Sequence, residues 1–263
     1  LKRLVSLVVA AVVLGGCGSD QHADTSVLSS NGGLLISSDW TGDWEVFVMD
    51  SESPILHQVV LHQVTHEGAY VVAGASQSEV EGFDFEGSWS PDGKQIALTT
   101  DRYEGHHIVI VDRDGQVLKR LTTGIGNGEP SWSPDGQNIV FAHFSEHWTL
   151  YSVTADGTQV TELNEAGDGW QPAWSPAGNQ IAFSSQREGF WNIYTVDVGG
   201  GNLLQLTTNV GDDLEPVWSP TGDQIAFTSN REGPLTVFVM DSDGGNITST
   251  GRTGIPSDWL AVP

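Results

Sequence analysis

Aromatic and acidic side chains recur in short polar segments of this 263-residue chain. A ring in such a segment can pack against an apolar or flat ligand, and a neighbouring carboxylate attracts a cation. The same rings can also be ordinary packing residues where a strand begins. We predict a ligand or partner face that includes six of these residues: Trp44, Tyr103, His147, Trp148, Trp170 and Trp191.

The sequence contains no nucleophile elbow and no closed metal motif, so we predict no catalytic residue. The histidines at 106, 107, 143 and 147 do not have the spacing of a zinc site. Glycan cleavage is an alternative, and it requires two or three carboxylates about 5 to 9 Å apart. The carboxylates that could supply such a site are Asp39, Asp101, Glu129, Glu188 and Glu215.

The first residues have the composition of an export signal. Lys2 and Arg3 precede an apolar run, 4–14, that is too short to span a bilayer. The small residues before Cys17 resemble the end of a bacterial lipoprotein signal, which implies a signal peptide over 1–16 and lipidation of Cys17. The chain has no second cysteine, so an internal disulfide is excluded.

Residues 17–32 are polar and small, which predicts a flexible tether behind the lipid. Lipoprotein sorting places an aspartate after the cysteine of inner-membrane proteins, so Gly18 implies an outer-membrane lipoprotein that faces the periplasm. The formal charge is −24, and it becomes −26 when Lys2 and Arg3 are removed. Such a surface repels nucleic acid and anionic lipid, so we expect membrane contact through the lipid anchor only.

A Trp-Ser-Pro-x-Gly sequence occurs four times, with its tryptophans 43, 42 and 44 residues apart. Each copy is followed by an apolar strand pattern, a polar loop, a second alternating strand and a tight turn that often contains Asp-Gly. Asp-Gly between β-rich runs favours a hairpin in which both turn residues adopt positive φ. The period therefore contains four short antiparallel strands, and a repeat of this length indicates propeller blades.

A single four-stranded sheet cannot bury both of its apolar faces, but neighbouring sheets around an axis can. We predict an all-β, five-bladed propeller over 33–263, with each repeated tryptophan wedged between blades. Four units are complete, and residues 34–65 supply only the second to fourth strands of another. We expect residues 255–259 to add its missing first strand and close the ring.

The units "PSWSPDGQNIVF" and "PAWSPAGNQIAFSSQREGFWNIYTVD" resemble the repeats of the TolB-type β-propeller family, which is related to WD-repeat proteins. Residues 18–32 leave no room for the α/β domain that precedes the TolB propeller. By this resemblance the innermost strand of each blade begins just before the tryptophan. The polar residues at that position would then line the rim of a central channel: Glu86, Glu129, Gln171 and Glu215.

We expect no cofactor, although Glu129 and Glu215 are candidates for a structural Ca²⁺ site, with a solvated acidic rim as the simpler interpretation. The function that the resemblance implies is a monomeric, non-enzymatic platform for an envelope protein or peptide. The acidic and aromatic rim suits a segment with basic or apolar side chains. The alternative is a carbohydrate-binding propeller, or a glycoside hydrolase or lyase that uses the central channel.

Overall fold

A computed structural model describes strands at 23–29, 33–38, 45–49 and 61–63, and then residues 84–208 and 210–253. These residues form five antiparallel sheets of four strands, and the strands of each sheet are adjacent in chain order. The all-β class and the four-stranded blades are therefore confirmed. The prediction that the blades close a ring stays a prediction.

Sheet 1 contains β1 (Ala23–Ser29), β2 (Gly33–Ser38), β3 (Glu45–Met49) and β4 (Leu61–Gln63). Sheet 2 contains β5 (Asp84–Trp89), β6 (Gln95–Thr100), β7 (His107–Asp112) and β8 (Val117–Arg120). Sheet 3 contains β9 (Asn127–Trp132), β10 (Asn138–Phe144), β11 (Trp148–Thr154) and β12 (Val160–Glu162), and a 3₁₀ helix, Asn164–Ala166, follows it. Sheet 4 contains β13 (Gly169–Trp174), β14 (Gln180–Ser185), β15 (Asn192–Asp197) and β16 (Leu204–Gln205). Sheet 5 contains β17 (Asp213–Trp218), β18 (Gln224–Ser229), β19 (Thr236–Asp241) and β20 (Thr248–Thr253).

The first strand of each sheet lies beside the first strand of the next, from β1 and β5 through to β13 and β17. The second strands β6, β14 and β18 are buried along nearly their whole length. The fourth strands β8 and β12 are mostly exposed. Within the ranges described above, no helix is long and apolar enough to cross a membrane.

Three of the four repeated tryptophans, Trp132, Trp174 and Trp218, pack between sheets, as predicted. Trp132 of sheet 3 lies in one apolar cluster with Ile108 and Ile110 of sheet 2 and with Phe141 of its own sheet. Trp174 occupies the equivalent position between sheets 3 and 4. These rings are the largest side chains at the sheet boundaries, so they supply much of the apolar area that holds neighbouring blades together.

The Trp-Ser-Pro-x-Gly turns are closed by their serines. The Ser90 hydroxyl accepts a hydrogen bond from Gln95 N (2.9 Å) and donates one to Asp92 (2.8 Å). The hydrogen bond from Ser90, together with one from the backbone amide of Lys94 (3.1 Å), holds the pKa of Asp92 below its usual value. Where the aspartate of the turn is missing, the residue after the glycine takes its place, so Ser175 donates to Asn179 and Ser219 to Asp223.

The Asp-Gly hairpins differ from the prediction in one respect. Gly115 has φ +79°, but Asp114 is not in the left-handed region, so only the glycine uses positive φ. Asp112, two residues earlier, fixes the turn with its side chain, which accepts hydrogen bonds from the amides of Asp114 (3.0 Å) and Gln116 (2.9 Å). The prediction of a turn is confirmed, and the turn is stabilised by backbone amides that donate hydrogen bonds to the Asp112 side chain.

The N-terminal sheet corrects two predictions. Residues 23–29, assigned to the flexible tether 17–32, form β1, which pairs antiparallel with β2 from Ala23↔Ser38 to Ser29↔Gly33. β1 pairs with β2 on the side opposite β3, so it occupies the first-strand position of that sheet, the position that was predicted for residues 255–259. Residues 255–259 lie outside the described residues, as do the signal peptide 1–16 and Cys17.

Candidate functional site

Four aromatic side chains form a continuous row across sheets 3 and 4, and we call Phe144, Trp148, Trp170 and Trp191 the aromatic row. The ring centroids of Phe144 and Trp148 are 5.0 Å apart, those of Trp148 and Trp170 are 5.6 Å apart, and those of Trp170 and Trp191 are 5.3 Å apart. Phe144 is 47% exposed and the three indoles are half-buried.

The fold explains why these four rings meet. Phe144 ends β10, Trp148 begins β11, Trp170 lies at the start of β13, and Trp191 directly precedes β15. Strand direction alternates, so all four positions lie at the edge of the propeller that carries the loops between second and third strands and between blades. Trp148, Trp170 and Trp191 were predicted for this face, and Phe144 was not.

The ring orientations limit what the aromatic row can bind. Trp148 and Trp170 are nearly parallel, with 21° between their planes, so each covers one face of the other. Trp191 is inclined at 54° to Trp170. The row therefore presents ring edges and its two ends, which suits irregular apolar groups better than a flat sugar ring that needs an open face.

The loops that hold the aromatic row carry several carboxylates. Asp212 lies at one end of it, where its Oδ1 accepts a hydrogen bond from Trp191 N (3.3 Å). Asp168 precedes Gly169 and Trp170 and has φ +63°. Glu146 is exposed in the β10–β11 turn, and Glu188 is exposed in the β14–β15 loop.

Arg187 is the basic residue nearest in sequence to Trp191. Its guanidinium lies 4.7 Å from the centre of the Tyr194 ring, and its Nε donates to Ser185 Oγ (2.9 Å). It also donates to backbone carbonyls of 165–167. Burial lowers the pKa of Arg187, and the charges of Asp168 and Glu188 oppose that shift.

The two sheets that carry the aromatic row depart from the repeat. In sheets 2 and 5 the first strand begins with a buried aspartate that pairs with an arginine, Asp84 with Arg102 and Asp213 with Arg231 (2.7 Å). In sheet 3 the same strand position holds Asn127, which contacts His143 (3.1 Å). In sheet 4 it holds Gly169. The ion-pair brace is therefore replaced where the aromatic row lies.

Two other predicted face residues, Tyr103 and His147, do not join the aromatic row. Tyr103, in sheet 2, packs under Arg120, whose guanidinium carbon lies 4.6 Å from the ring centre, and against His107. His147 is exposed, and its backbone carbonyl accepts a hydrogen bond from Ser145 N (3.3 Å). Trp44 lies outside the described residues.

His107, beside Tyr103, makes the fold sensitive to acid. The side chain is 1% exposed, and its Nε2 lies 3.2 Å from the carbonyl oxygen of Tyr103. Burial, followed by the positive charge of Arg120, lowers the pKa of His107 below 6.5. The unfolded chain therefore takes up a proton at this site before the folded chain does.

We expect this histidine to contribute a loss of stability that begins as the pH falls below about 6.5, with a slope of at most about 1.4 kcal/mol per pH unit. Urea unfolding at pH 7.5 and pH 5.0 measures it. His107→Gln should show a smaller loss between the two values than the unchanged chain, whereas exposed His106→Gln should show the same loss. Equal losses in all three proteins would contradict the assignment.

The four predicted rim residues share an unusual backbone conformation. Glu86, Glu129, Gln171 and Glu215 have φ between +52° and +57°, each at a bulge in the first strand of its sheet. L-residues adopt this conformation at a cost, so local contacts must hold it. All four lie in first strands, which adjoin one another, and their position on the rim of a central channel stays a prediction.

Three of these side chains, those of Glu86, Gln171 and Glu215, accept hydrogen bonds from neighbouring donors. Glu86 Oε2 accepts from Thr99 Oγ1 (3.1 Å) and from the backbone amide of Glu129 in the next sheet (3.0 Å). Gln171 Oε1 accepts in the same way from Ser184 Oγ (3.0 Å) and from Glu215 N (3.1 Å). We call this the bulge ladder. It requires an acceptor of this length, which glutamate and glutamine both supply.

The described part of the chain bears on the metal alternative and only in part on the glycan alternative. No group of three or more His, Cys, Asp or Glu residues among the described residues could hold a metal ion. Glu215, one of the two predicted Ca²⁺ ligands, accepts a hydrogen bond from Thr228 Oγ1 (3.2 Å). The Ca²⁺ alternative at Glu129 and Glu215 thus has no ligand cluster among these residues. Asp39, one of the carboxylates considered for glycan cleavage, lies outside them.

Four-stranded antiparallel sheets that adjoin through their first strands, with large tryptophans wedged between them, define a β-propeller. Residues 154–257 match the model of the TolB beta propeller domain. This match agrees with the resemblance to TolB-type propellers seen in the sequence, and sheets of the same design precede the matched residues.

Solved structures share this fold. The chain superposes on TolB from Agrobacterium tumefaciens with a TM-score of 0.71 and 22% identity, over 87% of this chain and 80% of that one. For TolB from Acinetobacter baumannii the values are 0.62 and 21%, over 94% of this chain and 57% of that one. An oligogalacturonate lyase in complex with manganese gives 0.55 and 15%, over 86% and 66%. Identities this low show the fold alone, and no curated protein sequence matches the chain.

Proposed function

We propose that this chain is a protein- or peptide-binding platform of the bacterial cell envelope, and that the aromatic row is its docking surface. The observation that carries the proposal is the unbroken contact of four partly exposed rings between Phe144 and Trp191. Exposed aromatic clusters of this kind are typical of interaction sites, since they contribute large contact areas at small entropic cost.

Two further observations support this choice. The repeat's ion-pair brace is replaced in sheets 3 and 4, so these two blades are specialised at the edge that carries the loops. The envelope location rests on the leader, from Lys2 to Cys17, and on the TolB family match. An outer-membrane lipid anchor at Cys17 belongs to the same proposal.

Carbohydrate binding or cleavage is the second candidate, because an oligogalacturonate lyase shares the fold. The stacked faces of Trp148 and Trp170 argue against sugar binding on the aromatic row. Glycan cleavage would require catalytic carboxylates in the central channel. Two of the predicted rim carboxylates are already engaged as hydrogen-bond acceptors: Glu86 in the bulge ladder and Glu215 from Thr228.

A pull-down from envelope extract with the full chain tests the proposal. Trp148→Ala and Trp170→Ala should each lower the recovery of the captured protein by about tenfold or more, as expected for hot-spot residues. Leu204→Ala is the matched control, since Leu204 is 50% exposed on β16 of sheet 4, away from the row. Unchanged recovery with both tryptophan variants would contradict the choice of docking surface.

A further inference from the structure

We infer that the segment docked on the aromatic row carries basic side chains, arginine or lysine, between apolar ones. The inference rests on the proposed function and adds the chemistry of the partner. It is carried by two features that lie together, the apolar ring edges of the row and an excess of carboxylates around it.

The charge balance near the aromatic row is one-sided. The loops that hold the row contain five carboxylates, Glu146, Glu165, Asp168, Glu188 and Asp212. They contain one arginine, Arg187, so their net charge is −4. The ion pairs within 4 Å among the described residues are Lys94–Asp92, Arg102–Asp84 and Arg231–Asp213. None of the five carboxylates takes part in them.

Arg187 is not free to neutralise these carboxylates further. Its guanidinium is stacked on Tyr194 and bonded to Ser185 and to the carbonyl of Ala166 (3.0 Å). Movement toward solvent would break these contacts and leave buried acceptors unpaired, which is costly. Arg231, the nearest arginine of sheet 5, is held by Asp213.

Asp212 is already positioned for a cationic partner. One of its oxygens accepts from Trp191 N (3.3 Å), and its own backbone amide donates to Asn230 Oδ1 (2.8 Å). The carboxylate is therefore fixed at the end of the row before any ligand binds. A fixed carboxylate beside apolar surface loses little entropy when it meets a guanidinium, and the pair gains strength as water leaves.

The two features select one type of partner. An apolar segment without charge would cover the rings but would desolvate the neighbouring carboxylates without compensation. An acidic segment would be repelled. A segment with arginine or lysine between leucine-like residues satisfies both surfaces, and its attraction to the acidic face also speeds encounter.

Three labelled synthetic peptides test the inference by fluorescence anisotropy with the full chain. They are Leu-Arg-Leu-Arg-Leu, with acetylated and amidated ends, and the same peptide with glutamine or with glutamate in place of arginine. At 50 mM NaCl we expect the arginine peptide to bind about tenfold more tightly than the glutamine peptide, and the glutamate peptide to bind most weakly. At 300 mM NaCl the advantage of arginine should shrink, because exposed charges are screened.

Replacing carboxylates by amides tests which residues give the arginine peptide its higher affinity. Asp168→Asn combined with Asp212→Asn should lower the affinity for the arginine peptide to that for the glutamine peptide and leave the latter unchanged. Asp114→Asn, an exposed turn residue at the opposite edge of the propeller, is the control and should change neither.

The experiment distinguishes a failure of the charge inference from a failure of the proposed docking surface. If arginine and glutamine peptides bind equally and Trp148→Ala weakens both, the inference about charge is wrong while the docking surface stands. If Trp148→Ala weakens no peptide, the docking surface itself is wrong. Sedimentation that shows a dimer dependent on Trp148 would assign the row to a second copy of the chain. Binding of maltoheptaose that depends on Trp148, without binding of the arginine peptide, would assign the row to a sugar. Either result would overturn the inference.

Discussion

Trp132→Ala is expected to lower the free energy of unfolding by about 3 to 5 kcal/mol. Trp132 is 7% exposed and fills the boundary between sheets 2 and 3, in contact with side chains of both. Its removal leaves a cavity that two rigid sheets cannot close, so the cost exceeds the loss of buried apolar area alone. Urea unfolding followed by tryptophan fluorescence and far-UV circular dichroism measures the change.

Phe190→Ala is the matched control, because it also removes a large ring but from a residue that is 46% exposed. We expect that substitution to cost less than about 1 kcal/mol. Similar losses for the two variants would show that Trp132 is not a structural wedge, and the description of the blade boundaries would then be wrong.

Asp213→Ala is expected to destabilise the chain by about 3 to 5 kcal/mol, because it leaves the guanidinium of Arg231 without its partner. Asp213 is fully buried and 2.7 Å from Arg231. Arg231 also lies about 5 Å from the ring centres of Phe227 and Phe238, so it cannot reach water without losing those contacts. Chemical denaturation at neutral pH gives the difference.

The comparison for this prediction is an exposed ion pair of the same chain. Lys94 and Asp92 lie 3.6 Å apart with both side chains largely exposed, so Lys94→Ala should change stability by less than about 1 kcal/mol. The double change Asp213→Leu with Arg231→Met should recover much of the loss, since it removes both charges together. If Asp213→Ala costs no more than Lys94→Ala, the buried pair is not a brace.

The repeat could be recognised from sequence because its signals are local and occur four times. Tryptophan spacing, turn residues and alternating strands predict the sheets, and three of the four repeated tryptophans pack where they were expected. The first strand was missed because 23–29 is polar and small, as in a linker. A signal was available, since Asn31-Gly32, a pair that favours hairpins, separates 23–29 from the apolar run that follows.

The candidate site was predictable only in part. Trp148, Trp170 and Trp191 could be assigned to one face because each follows a turn or a blade connection. Tyr103 satisfies the same criterion, but Arg120 from the fourth strand of its sheet covers its ring. The two residues are distant in sequence, so no local pattern indicates their contact. Phe144 resembles a core residue at the end of β10, and its exposure depends on where that strand ends.

The bulge ladder has a consequence for how such a chain can grow or shrink. Glu86 accepts from the amide at the corresponding position of sheet 3, and Gln171 does the same for sheet 5, although these two junctions span 43 and 44 residues. Loops that differ in length by one residue therefore leave donor and acceptor in place, whereas an insertion inside a first strand would shift the bulge and separate them. This favours evolution by duplication of whole repeats, with changes of length confined to the loops.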